Sequence, residues 1–154
     1  MKTSRLAEIF GTISVVLSLI FVGVEINQNT NLTRNQAYLD FAESLKDLTL
    51  QVATDDVLPS LVARTVEGET IDDFSLEDQV RLNSMQTATV RVWEGLFRSW
   101  QSGLLPEETI RNTNIGGGLL LNNDYFREFW VEVKTQLTQD FVQFFEQQSW
   151  NQKV

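Results

Sequence analysis

Carboxylates are the only acid–base groups that this chain of 154 residues offers in quantity. It holds 21 Asp and Glu residues, no histidine and no cysteine. The absence of these two residue types excludes thiol nucleophiles, disulfides, zinc fingers, histidine-ligated haem and every Ser-His or Cys-His relay. The sequence therefore predicts no catalytic residue, no cofactor and no metal site, and we expect the protein not to be an enzyme.

Two groups of carboxylates have a spacing that could do chemistry. Glu94 lies three residues after Arg91 and four before Arg98, so on a helix we expect it to form surface ion pairs. Glu128 and Glu132 are one helical turn apart, as metal-binding carboxylates of a di-iron bundle would be, but the Glu-x-x-His partner of such bundles is missing. We expect neither group to be catalytic or to hold a metal ion.

Glycine and basic residues give no sign of phosphate or nucleic-acid binding. The run Gly116-Gly117-Gly118 is not followed by the Lys-Ser/Thr of a phosphate-binding loop, so we interpret it as a flexible turn. The net charge is −9, and all but two of the acidic residues follow residue 26. Since no basic stripe accompanies them, we expect no nucleic-acid partner.

The segment from Leu6 to Ile26 is the element around which the chain is organised. Its uncharged part, Ile9 to Val24, is 16 residues long, which is about 24 Å as a helix. The full segment measures about 31 Å, close to the roughly 30 Å hydrocarbon core of a bilayer, and Glu8 and Glu25 would then sit at its two edges. We therefore predict a single membrane-spanning helix.

Three other interpretations of this segment stay open. A cleaved signal peptide would explain the basic start at Lys2 and Arg5, but no small-x-small cleavage site follows Val24. The helix could instead be buried, either by its own domain or in the core of an oligomer. An interfacial helix would have one polar face, and this run has none.

One face of the predicted helix carries small and polar residues at heptad spacing. In lipid, small residues mark the places where helices approach closely. We therefore predict a helix–helix contact face, either with copies of this chain or with another membrane protein. For the glutamate that ends the stripe, the alternative is that its carboxylate only marks the bilayer edge. The members of this stripe are Ala7, Gly11, Ser14, Ser18, Phe21 and Glu25.

The polar segment from Asn27 to Asn35 could break the first helix or continue it. Asn and Thr are weak helix formers, but an apolar stripe of helical spacing resumes beyond the segment. We favour continuation, with a first helix from about Ser4 to Ala53. The resumed stripe is Tyr38, Phe41, Leu45, Leu48 and Val52.

The remaining sequence reads as helices, with no convincing alternation of period two. We predict a short helix after Asp55-Asp56, one from the capping sequence at Ser75 to about Ser102, a short one after Pro106, and a last one from about Asp124 nearly to the end. The fold class is all-α: residues 1–26 form the transmembrane anchor, whose helix continues into an acidic helical-bundle domain of residues 27–154. Its predicted apolar core residues are Leu76, Val80, Leu82, Met85, Ala88, Val92, Trp93, Leu96, Phe97, Trp100, Phe126, Phe129, Trp130, Val133, Leu137, Phe141, Phe144 and Phe145.

Four short motifs give the chain a resemblance to a known group. They are Ile26-Asn27-Gln28-Asn29-Thr30, Ala37-Tyr38, Glu94-Gly95-Leu96-Phe97 and Gly103-Leu104-Leu105-Pro106-Glu107-Glu108. In this order the chain resembles a family of uncharacterised small bacterial proteins with an N-terminal apolar helix and a helical domain. The resemblance implies a location in the bacterial inner membrane and brings no established activity.

These features favour a membrane-anchored interaction protein that self-assembles or serves as an accessory subunit of a membrane complex. Its expected partners are membrane lipid and copies of itself or another membrane protein. Lys2 and Arg5 precede the span and only Arg34 follows closely, which indicates a cytoplasmic N-terminus and a domain outside. Alternatives are an oligomeric pore lined by the anchor helix, or a carboxylate-based enzyme or small-ligand binder.

Overall fold

The computed structural model describes the backbone of residues 2–113, 115, 118 and 120–149, and the side chains among these from residue 10 to residue 148. Within these ranges all regular structure is helical and no strand occurs, which confirms the all-α class. The helices are α1 Lys2–Thr54, α2 Leu58–Val66, α3 Leu76–Gln101, α4 Glu107–Asn112, α5 Asp124–Val133 and α6 Gln139–Ser149, with 3₁₀ turns at Ile71–Asp73 and Lys134–Gln136.

Helix α1 is continuous through the polar segment of residues 27–35, as we expected. Its 53 residues make it about 80 Å long. In the polar segment, hereafter the collar, side chains bond within the helix: the Thr30 hydroxyl donates to the Ile26 carbonyl at 2.8 Å and the Thr33 hydroxyl to the Asn29 carbonyl at 2.9 Å. These local bonds satisfy polar side chains that would otherwise compete for the backbone in a non-helical conformation.

The second half of α1 packs on the domain, mainly against α3 and α2. Phe41, Leu45, Leu48 and Val52 are half-buried, as predicted. Tyr38, which we placed in the same stripe, is exposed. By helical geometry it lies roughly 60° from the centre of the packed face, and Ala37 packs against the core in its place.

The helix starts follow local signals in the sequence. The Asp55 carboxylate accepts hydrogen bonds from the backbone N–H groups of Val57 and Leu58, both at 2.8 Å, and so caps α2. The Ser75 hydroxyl accepts a hydrogen bond from the Asp78 backbone N–H at 3.2 Å and caps α3. After α3 the chain turns at Gly103, whose φ of 76° lies in the left-handed region that glycine tolerates best.

Helix α3 is the central element, since it contacts α1, α2, α4 and α5. Its buried side begins at Leu82, whereas Leu76 and Val80, which we predicted as core residues, are exposed. The reason is helical phase, because these two positions lie roughly 110–150° around the axis from the middle of the buried face. The apolar stripe in the sequence therefore predicts too broad a buried face at the start of α3.

Helices α5 and α6 supply the aromatic core that the sequence predicted. Phe126, Phe141 and Phe145 are completely buried. Trp130 stacks on Phe145 with ring centroids 4.4 Å apart, and Phe97 of α3 lies 5.6 Å from Phe141. Aromatic pairs of this kind stabilise a core beyond the contribution of their buried area.

The prediction of one long final helix is wrong. Helix α5 ends at Val133, a 3₁₀ turn follows, and Leu137 is extended, with φ of −105° and ψ of 163°, before α6 begins. The apolar spacing runs on in helical phase through this break. At the break, the backbone N–H and the hydroxyl of Thr138 both donate to the Glu94 carboxylate on α3.

Candidate functional site

The predicted contact stripe lies on the part of α1 that projects away from the domain. Gly11, Ser14, Ser18, Phe21 and Glu25 are all exposed and fall on one face of the continuous helix. A Cβ built at Gly11 would have no atom within 4 Å beyond its own helix. The structure thus aligns these five residues and leaves their face free for another helix.

The sixth residue predicted for this stripe is Ala7. Its backbone belongs to α1, but its side chain lies outside the described residues.

The two serine hydroxyls of the stripe bond within their own helix. Ser14 donates to the Phe10 carbonyl at 2.9 Å, and Ser18 donates to the Ser14 carbonyl at 2.8 Å. Serine in a membrane helix commonly makes this bond to the carbonyl one turn earlier. Both hydroxyl hydrogens are consequently satisfied, and the side chains can serve as small contact surfaces in an apolar setting.

The apolar segment of α1 is long and apolar enough to cross a membrane. In the described range Phe10–Thr54 its best 18-residue window has a mean hydropathy of 1.9, and none of that window is buried inside the molecule. The alternative in which the chain's own domain buries this helix is therefore contradicted. Exposing so much contiguous apolar surface to water is unfavourable.

Glu94 is buried rather than exposed, which corrects the surface ion pair that we expected. Its side chain is 6% exposed, and it pairs with Arg91 at 2.8 Å and with Arg98 at 3.5 Å. Its Oε1 also accepts hydrogen bonds from the backbone N–H of Thr138 at 3.0 Å and from the Thr138 hydroxyl at 2.9 Å. The carboxylate thus joins α3 to the start of α6.

The environment of Glu94 keeps this carboxylate ionised. Burial raises its pKa, but the hydrogen bonds from Thr138 and Arg91, with the positive charge of Arg98, outweigh that effect and hold the pKa below its ordinary value. A general acid or base at neutral pH needs the opposite shift. The direction of this shift and the contacts of the carboxylate both suit a residue that holds α6 against α3.

The Glu128 and Glu132 pair does not converge on a site. Glu128 Oε2 accepts a hydrogen bond from the Ile71 backbone N–H at 3.0 Å and so holds the 3₁₀ turn, while Glu132 is exposed. Among the described residues no cluster of three or more Asp, Glu, His or Cys could hold a metal ion.

A groove of about 580 Å³ runs between α1 and α3. Ala37, Phe41, Val92 and Leu96 line it, and Asp40 and Arg91 are the charged residues of its described wall. Its volume falls in the range of small-molecule sites, roughly 300–1,000 Å³. Both charged residues already have partners, Arg91 in Glu94 and Asp40 in the Gln36 side chain at 2.7 Å, so what the groove offers a small ligand is space.

Sequence patterns missed three polar contacts between side chains. The Tyr125 hydroxyl donates to Asn83 Oδ1 at 3.0 Å, and burial, with nearby Asp78 and Glu128, raises the pKa of Tyr125 to about 12. Glu146 Oε1 accepts from Trp130 Nε1 at 3.0 Å and from Lys134 Nζ at 3.1 Å. Glu146 follows Lys134 by 12 residues and Trp130 by 16, whereas Tyr125 and Asn83 are 42 residues apart. Only the contacts of Glu146 are therefore near enough in sequence for a pattern to have suggested them.

The last polar residue that patterns missed is Gln86, which lies on the buried side of α3 and is 1% exposed. Its Oε1 accepts no hydrogen bond from the described residues.

Comparisons of the chain with protein-family models, with curated proteins and with solved structures found no significant match. The functional conclusion therefore depends on the geometry of α1 and of the domain.

Proposed function

We propose that the chain is a single-pass membrane protein that self-assembles, or joins a larger membrane complex as an accessory subunit, through the stripe of α1. The observation that carries this proposal is the fully exposed apolar segment on a helix that is continuous with the folded domain. A bilayer covers the apolar faces of such a segment, and the small-residue face is free to contact another helix.

The stripe favours close packing over a water-filled pore. Small residues let two helix backbones approach, and the hydroxyls of Ser14 and Ser18 already have acceptors in their own helix. Pore-lining serines would instead offer their hydroxyls to water or ions. For this reason the pore remains only the alternative interpretation of the same face.

The proposed location is the bacterial inner membrane, with the N-terminus in the cytoplasm and the domain on the other side. Lys2 and Arg5 before the span, against Arg34 after it, support this orientation through the positive-inside rule. The domain carries most of the negative charge of the chain, so anionic headgroups repel it and it is held near the bilayer by the anchor alone.

The test compares two double variants of the full-length protein in detergent by light scattering. Ser14→Leu with Ser18→Leu enlarges the stripe and should reduce the oligomer to a monomer. Val16→Leu with Ile20→Leu lies on the opposite face at the same depth and should leave the mass of the complex unchanged. Both pairs keep the segment apolar, so insertion in the membrane is the same.

Loss of assembly in both double variants, or in neither, would contradict the stripe as the contact face. If the wild-type protein is monomeric, only the accessory-subunit form of the proposal survives. Its test is co-purification of a partner protein, which the wild type should retain and the Ser14→Leu, Ser18→Leu variant should lose. The pore alternative predicts in addition that Glu25→Gln alters conductance in a planar bilayer while assembly persists.

A further inference from the structure

An exposed apolar face continues along α1 beyond the proposed span. Leu32 is 67% exposed and Leu39 58% exposed, and Asn35 and Ala42 between and after them are exposed as well. Leucines that a helix exposes to water at this spacing are energetically unfavourable unless another surface covers them. Leu32 and Leu39 lie one heptad apart, with Asn35 between them and Ala42 three residues after Leu39.

This face is in the same heptad register as the stripe. From Gly11 the spacing alternates between three and four residues without interruption as far as Ala42. The helix itself is also uninterrupted. A strict heptad repeat over a straight α-helix drifts by about 20° per heptad, and two such helices follow the drift by a left-handed supercoil.

The face points away from the domain. Ala37, Phe41 and Val52 pack against the core, and Leu32 and Leu39 lie roughly 160–180° around the helix axis from the centre of that packed side. Two chains can therefore meet through this face while their domains stay on the outside. At the edge of the face, Asn35 lies beside the turn from Gly103 to Pro106 that follows α3.

The area of the joined face reaches the size that a specific interface needs. A band covering about 100° of a helix of about 11 Å diameter is roughly 10 Å wide. From Gly11 to Ala42 the band is about 48 Å long, or roughly 480 Å² per chain. Two chains bury roughly 960 Å², which is close to the lower bound of about 1,000 Å² for a specific interface, whereas the span alone supplies less than half of this.

We infer that the occupant of this face is a second copy of this chain. The two copies form a parallel coiled coil that runs from the stripe, past Leu32 in the collar, to Leu39. The inference rests on the self-assembly proposed above and extends it beyond the membrane. Two copies inserted in the same orientation lie parallel and at equal depth. Identical residues then face each other, and Asn35 in the seam favours one register because a polar residue there is best matched with its own kind.

The experiment uses single cysteines, which the cysteine-free chain allows without further change. Leu32→Cys and Leu39→Cys test the seam, and Thr33→Cys and Asp40→Cys are controls one residue further on, exposed and at matched depth. Ser18→Cys reports on the stripe inside the span. Full-length variants in native membranes are oxidised with copper phenanthroline, and the disulfide-linked dimer is followed on non-reducing gels.

The expected result is that the two seam cysteines crosslink at least about tenfold faster than their controls, since sulfurs join only where the Cα atoms come within about 7 Å. Seam and control cysteines that crosslink at equal rates, while Ser18→Cys crosslinks, would overturn the coiled coil and leave the self-assembly standing. Failure of Ser18→Cys together with both seam variants would overturn both.

Discussion

Replacing Glu94 by glutamine should destabilise the fold although the change is nearly isosteric. The amide oxygen can keep the bonds from Thr138, but the amide nitrogen would face the Arg91 guanidinium, which is also a donor. A hydrogen bond to a charged group contributes about 1.5–3 kcal/mol. Because the Arg91 side chain is 45% exposed and partly screened by water, we expect a loss of about 2 kcal/mol in the free energy of unfolding.

For a chain of this length a loss of that size should lower Tm by about 4–8 °C. The assay is thermal unfolding of the full-length protein in detergent at neutral pH, followed by the near-ultraviolet circular dichroism of the core tryptophans. Glu43→Gln is the matched control, since that glutamate pairs with Lys46 at 3.8 Å on the surface of α1. We expect little or no change from it.

A double-mutant cycle identifies the partner through which Glu94 acts. Arg91→Met removes the guanidinium that pairs with the carboxylate. If the ion pair with Arg91 is the cause of the effect, Glu94→Gln combined with Arg91→Met should cost less than the two single changes together. Strict additivity, or a Glu94→Gln variant as stable as Glu43→Gln, would refute the reasoning.

The pKa of Glu94 and the backbone conformations of Gly103 and Gly95 lead to further predictions. Since the pKa of Glu94 lies below its ordinary value, its ionisation stabilises the fold fully above the unfolded pKa of about 4.3 and this contribution is lost as the pH falls through the folded pKa. The difference in Tm between the wild type and Glu94→Gln should be steady from about pH 5 to 7 and shrink below about pH 4; a difference that grows in acid would contradict the assignment. Gly103→Ala should lower stability by about 1–2 kcal/mol because its φ is 76°, whereas Gly95→Ala should raise it by about 0.5–1 kcal/mol, since this exposed glycine of α3 has room for a Cβ. Equal effects of the two substitutions in chemical denaturation would be inconsistent with these conformations.

The sequence predicted those elements whose signals are local. Asp55 and Ser75 cap helices through backbone groups two or three residues away, and the continuity of α1 depends on bonds between residues four apart. The break before α6 could not be predicted in this way. At the break, Thr138 contacts Glu94, which is 44 residues away in sequence, and the apolar spacing on either side gives no sign of this contact.

The same distinction applies to the candidate site. The stripe is a periodicity within one helix, so its alignment could be read from the sequence. Glu94 is buried because another element of the fold covers it. Leu76 and Val80 are exposed because their side of α3 stays uncovered. Those facts belong to the packing of several elements and were accessible only from the structure.

The helical collar has a mechanical consequence. From Ile26 to Ala37 the chain rises about 16 Å with no joint, so the height and the rotation of the domain above the proposed span are both fixed by residue number. Deleting one collar residue would lower the domain by about 1.5 Å and turn it by about 100°, whereas deleting seven would lower it by about 10 Å and nearly restore its orientation. Molecules held together by the stripe would thus present their domains, and the grooves between α1 and α3, at set angles around a common axis.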